Sequence, residues 1–175
     1  MGKIRNYQIF SAIFVIVLGT LFHFIYQLSG ENKIVAIFSS VNESVWEHMK
    51  LLFFPMLFSI IIGYFYLNES VPNFVCSKTI GILVAMALLV IFFYTYTGIL
   101  GRNIAIVDIT SFFIEVIIGE YVAYILMINN FKCKKIIAVL ILAIICFCFI
   151  KFTFNTPKIG IFKDPLTGEY GIIQN

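Results

Sequence analysis

The sequence predicts an all-α membrane protein, a polytopic bundle of five transmembrane helices. Of its 175 residues, 61% are hydrophobic and only 12% are charged, whereas soluble domains carry about 25% charged residues. The apolar residues fall into five runs of roughly 20 residues, the length that a helix needs to cross a bilayer. The same composition excludes a disordered chain, a nucleic-acid-binding module and a disulfide framework.

Short polar segments separate the predicted spans. The spans run from Tyr7 to Leu28, Glu43 to Leu67, Thr79 to Leu100, Val107 to Ile128 and Ile136 to Phe154. Between the first two, the segment from Ile34 to Val41 is too short to cross the membrane. It therefore predicts an interfacial helix or a re-entrant turn.

The last residues change character, because prolines and glycines at 157, 160, 165, 168 and 171 indicate turns. We therefore predict a transmembrane domain of residues 1–154 and a non-helical extramembrane tail of residues 155–175. The tail is expected to pack on the polar mouth of the bundle. It is either a lid over a site or a plug that stabilises Asn42 and Glu43.

Lysine and arginine residues indicate the orientation in the membrane. Their raw numbers are equal on the two sides, but Lys132, Lys134 and Lys135 form the densest cluster in a short loop. Because cytoplasmic loops carry an excess of such residues, this cluster favours a cytoplasmic N-terminus and an extracytoplasmic C-terminus.

The polar residues are unevenly distributed between the two sides. Alternation of five spans places seven of the nine acidic residues and both histidines on the side opposite the N-terminus, leaving only Glu69 and Glu120 elsewhere. Ionisable groups are costly in hydrocarbon unless they pair or face a cavity. A shared polar pocket is therefore predicted there, with a structural ion cluster as the alternative.

The densest group of candidates is the run from Asn42 to Lys50, with sequence NESVWEHMK. At 100° per residue, Glu43, Glu47 and Lys50 share one face and Ser44 and His48 another. The candidate catalytic residues are Glu43, Glu47, His48 and Lys50, with a carboxylate accepting a proton and His48 carrying it. The alternative is an ion cluster that closes the bundle and caps the second span.

The two histidines also allow a metal site. His23 lies near the end of the first span and His48 near the start of the second, so both reach the same side. Together with Glu47, or with Glu43, they offer the donor set of a divalent metal such as zinc. The alternative is that each histidine forms a hydrogen bond to a neighbouring helix.

Further polar residues on this side are candidates for lining a ligand site. In the fourth span Asp108, Ser111 and Glu115 form a stripe, whose alternative role is structural pairing. The remaining candidates for ligand binding are His23, Asn42, Ser44, Trp46, Tyr94, Tyr96, Asp164 and Tyr170. For Trp46 and the tyrosines, the alternative is anchoring at the membrane interface.

The same motifs resemble an uncharacterised family of small multi-span membrane proteins of Gram-positive bacteria. The resemblance rests on NESVWEHMK at 42–50 with His23 before it, YTYTG at 94–98, and KDPLTGEYG at 163–171. It covers nearly the whole chain and implies a location in the bacterial cytoplasmic membrane, without an assigned function. Glu115 and Glu120 are not part of the pattern.

Three functions remain open at this stage. The first is ligand binding or membrane-embedded enzyme chemistry in an outward-facing polar pocket, although no motif names a reaction. The second is a small transporter or an ion- or proton-conducting subunit, and the third is a non-catalytic structural membrane partner. Membrane lipids are the expected partners, a homodimer is allowed, and nucleic acid is not expected.

Overall fold

The computed structural model describes residues 1–67 and 71–172. Within these ranges the chain forms six α-helices and one turn of 3-10 helix. They are α1 (Gly2–Leu28), α2 (Lys33–Phe38), α3 (Val45–Leu67), α4 (Phe74–Leu100), α5 (Ala105–Ile128), α6 (Lys135–Phe154) and the 3-10 turn Gly160–Phe162. All except α2 and the 3-10 turn are long and apolar enough to span a membrane, which confirms the predicted helical membrane bundle.

Two helices begin more than one turn earlier than hydropathy alone predicted. Helix α1 begins at Gly2 instead of Tyr7, and α4 begins at Phe74 instead of Thr79. Hydropathy marks the apolar part of a span, whereas lysine, arginine and glutamine also favour helix and extend it beyond that part. Helix α3 instead begins later, at Val45, so Glu43 lies outside it.

Helices α4 and α5 approach each other closely through two glycines. A Cβ atom at Gly119 would lie 2.7 Å from the Gly81 carbonyl oxygen and 2.9 Å from the Cβ atom of Ala85. Ala123 packs against Gly81 from the next turn of α5. Small residues thus let the two backbones touch in the half of the bundle that contains the N-terminus of α4.

Gly119→Ala is expected to lower the free energy of unfolding by about 1–3 kcal/mol, because the added methyl group overpacks this contact. Reversible unfolding in mixed detergent micelles measures the change. Gly98→Ala is the matched control, since a Cβ atom there meets nothing within 4 Å. An equal loss in both variants would show that the close approach of α4 and α5 is not responsible.

The proline in α3 is linked to the packing of α1. Pro55 lies inside the helix, and a proline removes the hydrogen bond to the carbonyl four residues earlier, here that of Leu51. The Leu51 carbonyl oxygen lies 2.6 Å from the position of a Cβ atom at Gly19. A glycine in α1 therefore makes room for a carbonyl group that lacks its usual helical donor.

A buried ion pair joins three helices near the N-terminal side. The Lys78 ammonium group donates to both carboxylate oxygens of Glu120, at 2.5 and 2.7 Å, and to the Ser11 hydroxyl at 2.9 Å. Ser11 donates in turn to Glu120, and the Gln8 amide donates to the Glu120 backbone carbonyl at 2.6 Å. Lys78 lies just before the predicted start of the third span at Thr79, but in the structure it is a fully buried residue of α4.

One disulfide bond is present on the same side. It joins Cys76 at the start of α4 to Cys133 in the loop before α6, with Cα atoms 6.2 Å apart. The sequence excluded a framework of several disulfide bonds, and it did not predict this single bond. Disulfides persist in oxidising compartments, whereas the lysines beside Cys133 favour the cytoplasm. The orientation in the membrane therefore stays a prediction.

Candidate functional site

The start of α3 is shaped by polar side chains that cap the helix. The Ser44 hydroxyl accepts a hydrogen bond from the Glu47 backbone N–H at 3.3 Å, and the side-chain Oδ1 atom of Asn42 accepts one from the Ser44 N–H at 2.9 Å. Such caps satisfy backbone donors that the first turn leaves free. They also hold the chain at Glu43, two residues before the helix begins, where its side chain reaches His23 of α1.

Two histidines face the same carboxylate oxygen. The Nε2 atoms of His23 and His48 lie 3.4 and 3.5 Å from Oε2 of Glu43, and the two imidazole rings are 5.4 Å apart between centroids. One donor atom from each of the three residues lies within 4.8 Å of the others. The structure thus brings together His23 and His48 with Glu43, which is one of the two carboxylates that the sequence offered for this site.

The His48 ring has a fixed hydrogen-bonding direction. Its Nδ1 atom lies 3.0 Å from the Ser44 carbonyl oxygen, which can only accept, so Nδ1 carries the hydrogen. In a neutral ring the Nε2 lone pair then faces the Glu43 carboxylate, which also only accepts. A proton or a metal ion between Nε2 and Oε2 removes this conflict.

Glu43 supplies the negative charge of this cluster. A hydrogen bond from His23 lowers the pKa of the Glu43 carboxyl group below its ordinary value, more than partial burial raises it, and the charge of His48 acts in the same direction. Glu43 is therefore ionised at neutral pH. The three side chains are 26–37% exposed, which leaves them reachable from the surface.

Glu47 and Lys50, two of the candidate catalytic residues, pair with each other. The Lys50 ammonium group lies 2.5 Å from Oε2 of Glu47, and both side chains are almost completely buried. Lys50 also donates to the Ala36 carbonyl and the Thr153 hydroxyl, while Glu47 accepts from the Val41 N–H. This pair joins α2, α3 and α6, and the structure places Glu43, not Glu47, between the histidines.

A small cavity adjoins the histidine cluster and extends along α5. Its volume is about 40 Å³, enough for a few water molecules. Polar and ionisable side chains line it together with apolar residues of α3, α4 and α5. The polar ones are Glu43, His48, Asn103, Asp108, Ser111 and Glu115.

Of the two candidate tyrosines at the end of α4, only Tyr96 approaches this cavity. Its hydroxyl group donates to the Asp108 carboxylate and accepts from the Ile104 N–H at 3.2 Å, which holds the start of α5 against the end of α4. Tyr94 is 44% exposed and points away from the bundle.

The tail contacts the start of α3. The Asp164 carboxylate accepts from the Glu43 backbone N–H at 3.3 Å, and the Asn42 amide donates to the Gly171 carbonyl at 2.8 Å. Asp164 is also the centre of its own turn, accepting from the N–H groups of Leu166 and Thr167. Tyr170 pairs through its backbone with Lys163, within the tail.

Trp46 packs inside an aromatic cluster. The sequence had indicated only ligand binding and interface anchoring for this residue. Its ring lies 4.6 Å from that of Phe162 in the 3-10 turn and 4.7 Å from that of Phe149 in α6, between centroids. Phe152 completes this aromatic cluster. Trp46 therefore fixes the tail to the bundle, and it is not among the residues that line the cavity.

Fold and site together define a five-span helical membrane protein with a polar cluster one turn inside its helix ends. The chain belongs to a family described as Family of unknown function (DUF6512), whose sequence model matches residues 1–172. This agrees with the resemblance to a family without an assigned function. No curated protein and no solved structure matches the chain.

Proposed function

We propose that the protein is a membrane-embedded, metal-dependent hydrolase. His23, Glu43 and His48 bind one divalent transition-metal ion, and zinc is the ion that this donor set suits best. The observation that carries the proposal is the direction of the His48 ring, whose Nδ1 atom is held by the Ser44 carbonyl and whose Nε2 atom faces the Glu43 carboxylate across 3.5 Å. A cation between them satisfies both acceptors.

Two of the three donor spacings fit a tetrahedral ion, and the three donor atoms together lie within 4.8 Å of one another. Zinc binds nitrogen and oxygen ligands at about 2.0–2.2 Å, and two tetrahedral ligands at that distance are about 3.4 Å apart. The distances from Glu43 to the two histidines are 3.4 and 3.5 Å. The ring of His48 is oriented through its second nitrogen, as is usual for metal-binding histidines.

The number of ligands supports catalysis over a purely structural ion. Structural zinc sites have four protein ligands, whereas catalytic sites have three and keep one position for water. Such an ion lowers the pKa of its bound water and supplies hydroxide near neutral pH. Glu43 and His48 line the same small cavity as Asp108 and Ser111, which would supply the space for that water.

The depth of the site favours a substrate at the membrane surface. His48 lies in the first turn of α3 and Asp108 in the first turn of α5. The metal would thus lie one turn below the helix ends, at the level of the lipid head groups. A cavity of about 40 Å³ admits only the bond to be cleaved, so we expect an ester, amide or phosphoester of a lipid or membrane protein to approach from outside.

Transport through a single chain is disfavoured by the contacts beyond Glu115. Toward the other side of the membrane, the backbones of α4 and α5 touch at Gly81 and Gly119. Beyond that contact, the pair of Lys78 and Glu120 is already satisfied by Ser11. The polar residues of the described bundle therefore do not continue as one path between its two ends.

Elemental analysis of the full chain, purified in detergent and equilibrated with zinc, tests the proposal. We expect one zinc per chain, and a visible spectrum typical of tetrahedral cobalt when cobalt replaces zinc. His23→Ala, Glu43→Gln and His48→Ala should each weaken zinc binding by more than about 100-fold, beyond the effect of losing an orienting contact.

Glu169→Gln is the control, because Glu169 is an exposed carboxylate of the tail. It should leave the zinc content unchanged. A well-folded wild-type protein that binds no zinc, cobalt or manganese would contradict the metal site. Zinc binding that the three substitutions leave unchanged would place the ion elsewhere.

The bacterial cytoplasmic membrane is the proposed location, with the site on the outer face. It rests on the lysine cluster at 132–135 and on the resemblance of the motifs. In that orientation the metal site opens to the cell exterior.

A further inference from the structure

Glu115 is a buried carboxyl group to which neither the ion pairs nor the histidine cluster assigns a role. It lies in the middle of α5 and is 3% exposed. Both carboxyl oxygens are buried and have no hydrogen-bond partner among the described residues. The side chain lines the cavity whose mouth contains Glu43 and His48.

The surroundings of Glu115 do not compensate a negative charge. The other ionisable groups lining the cavity are Asp108 on the same helix, and Glu43 and His48 at the mouth, so two of the three are acids. The residues of α4 that line the cavity are Leu89 and Phe93, and neither carries a charge. A carboxylate buried in such surroundings takes up a proton instead of remaining ionised.

Glu120 shows how the same helix stabilises an ionised carboxylate. It is five residues after Glu115 and is equally buried, at 3% exposure. Its oxygens receive hydrogen bonds from Lys78 and Ser11. The two glutamates are equally buried, so they differ in their partners: Glu120 has hydrogen-bond donors and Glu115 has none among the described residues.

We propose that Glu115 is a proton-binding residue coupled to the metal site. In the metal-free protein Glu115 holds a proton. When a divalent ion occupies His23, Glu43 and His48, its two positive charges favour the carboxylate, and the proton passes to cavity water and leaves through the mouth. One proton is released from Glu115 for each ion bound, and this inference rests on the proposed metal site.

The shape of the cavity restricts where that proton can go. Glu115 lies seven residues after Asp108, hence about 10 Å deeper along the helix. Farther along α5, Gly119 is in contact with Gly81. Proton exchange at Glu115 therefore occurs on the same side of the membrane as metal binding.

A hydrophobic carbodiimide tests the proposal, because it adds to the acid form of a buried carboxyl group and, with that proton, forms a stable acylurea. The full chain in detergent is treated at neutral pH, with and without zinc, and peptides are analysed by mass spectrometry. We expect the adduct on Glu115 and not on Glu120, the internal control. Saturating zinc should reduce the adduct about tenfold or more, because the reagent adds only to the acid form and the bound ion removes that proton.

Two variants separate this inference from the metal site itself. His48→Ala should keep the adduct on Glu115 but lose the effect of zinc. Glu115→Gln should bind zinc with wild-type stoichiometry while releasing about one proton fewer per ion, measured with a pH indicator in weak buffer.

The outcomes are distinguishable. Absence of the adduct on Glu115 overturns the inference. So does an adduct that zinc leaves unchanged in a protein shown to bind zinc, and in that case the proposed function still stands. If zinc does not bind at all, the proposed function and the coupling both fail.

Discussion

Lys78→Met is expected to lower the free energy of unfolding by about 3–5 kcal/mol, among the largest effects of any single substitution in this chain. The reason is the carboxylate that it leaves behind. Glu120 is 3% exposed and would keep only the Ser11 hydroxyl as a side-chain donor. Reversible unfolding in mixed micelles, followed by circular dichroism, measures the loss.

The double variant Lys78→Met with Glu120→Gln is the informative comparison, because it removes both charges together. Replacing a whole buried ion pair is often close to neutral, so most of the lost stability should return. Lys135→Met, which removes an exposed lysine of α6, is the control for charge loss. If the double variant is no more stable than Lys78→Met, the unpaired charge is not the cause.

Substitution of the two glutamates near the start of α3 should have opposite effects on stability and on zinc binding. Glu47→Gln is expected to cost about 3–5 kcal/mol of stability, since it leaves the buried Lys50 without its anionic partner. The folded fraction should still bind zinc with unchanged stoichiometry. Glu43→Gln should do the reverse, with a stability change within about 1 kcal/mol and loss of the zinc site.

The two variants control for each other, because they make the same chemical change four residues apart. Unfolding curves and zinc content are measured on the same preparations. If zinc binding is lost in Glu47→Gln but retained in Glu43→Gln, the ligands are His23, His48 and Glu47. That result would contradict the assignment of Glu43 as a ligand.

The fold was predictable because it depends on properties that act along the chain. The length of the apolar runs gives the number of spans, and alternation of their directions brings His23 and His48 to one side. The same reasoning applied to Cys76 and Cys133 places both on the opposite side, and this was the available signal for their disulfide bond. Helix ends were less accurate, since polar residues such as Lys3 and Lys78 belong to helices but lower the local hydropathy.

The details of the site depended on where a single helix begins. Helical periodicity placed Glu43 on one face with Glu47 and Lys50, but Val45 is the first residue of α3. Before that residue the 100° rule does not apply. Glu43 is turned toward the histidines by the caps that Asn42 and Ser44 form, and Glu47 remains with Lys50.

The pairing of Lys78 with Glu120 depends on contacts between helices that periodicity does not describe. Their positions along the two helices gave a partial indication of this pair. Lys78 lies four residues into α4 and Glu120 lies eight residues before the end of α5, hence about 6 and 12 Å inside the same end of the bundle. A lysine side chain is long enough to cover that difference.

The contacts of the tail with the start of α3 bear on biosynthesis. Asp164 and Gly171 hold the backbone around Glu43, yet both are translated after all five spans. While the ribosome is still making residues 155–171, α3 can already be inserted with its N-terminal end exposed. The hydrogen bonds that join the tail to Asn42 and Glu43 can therefore form only after all five spans have been synthesised.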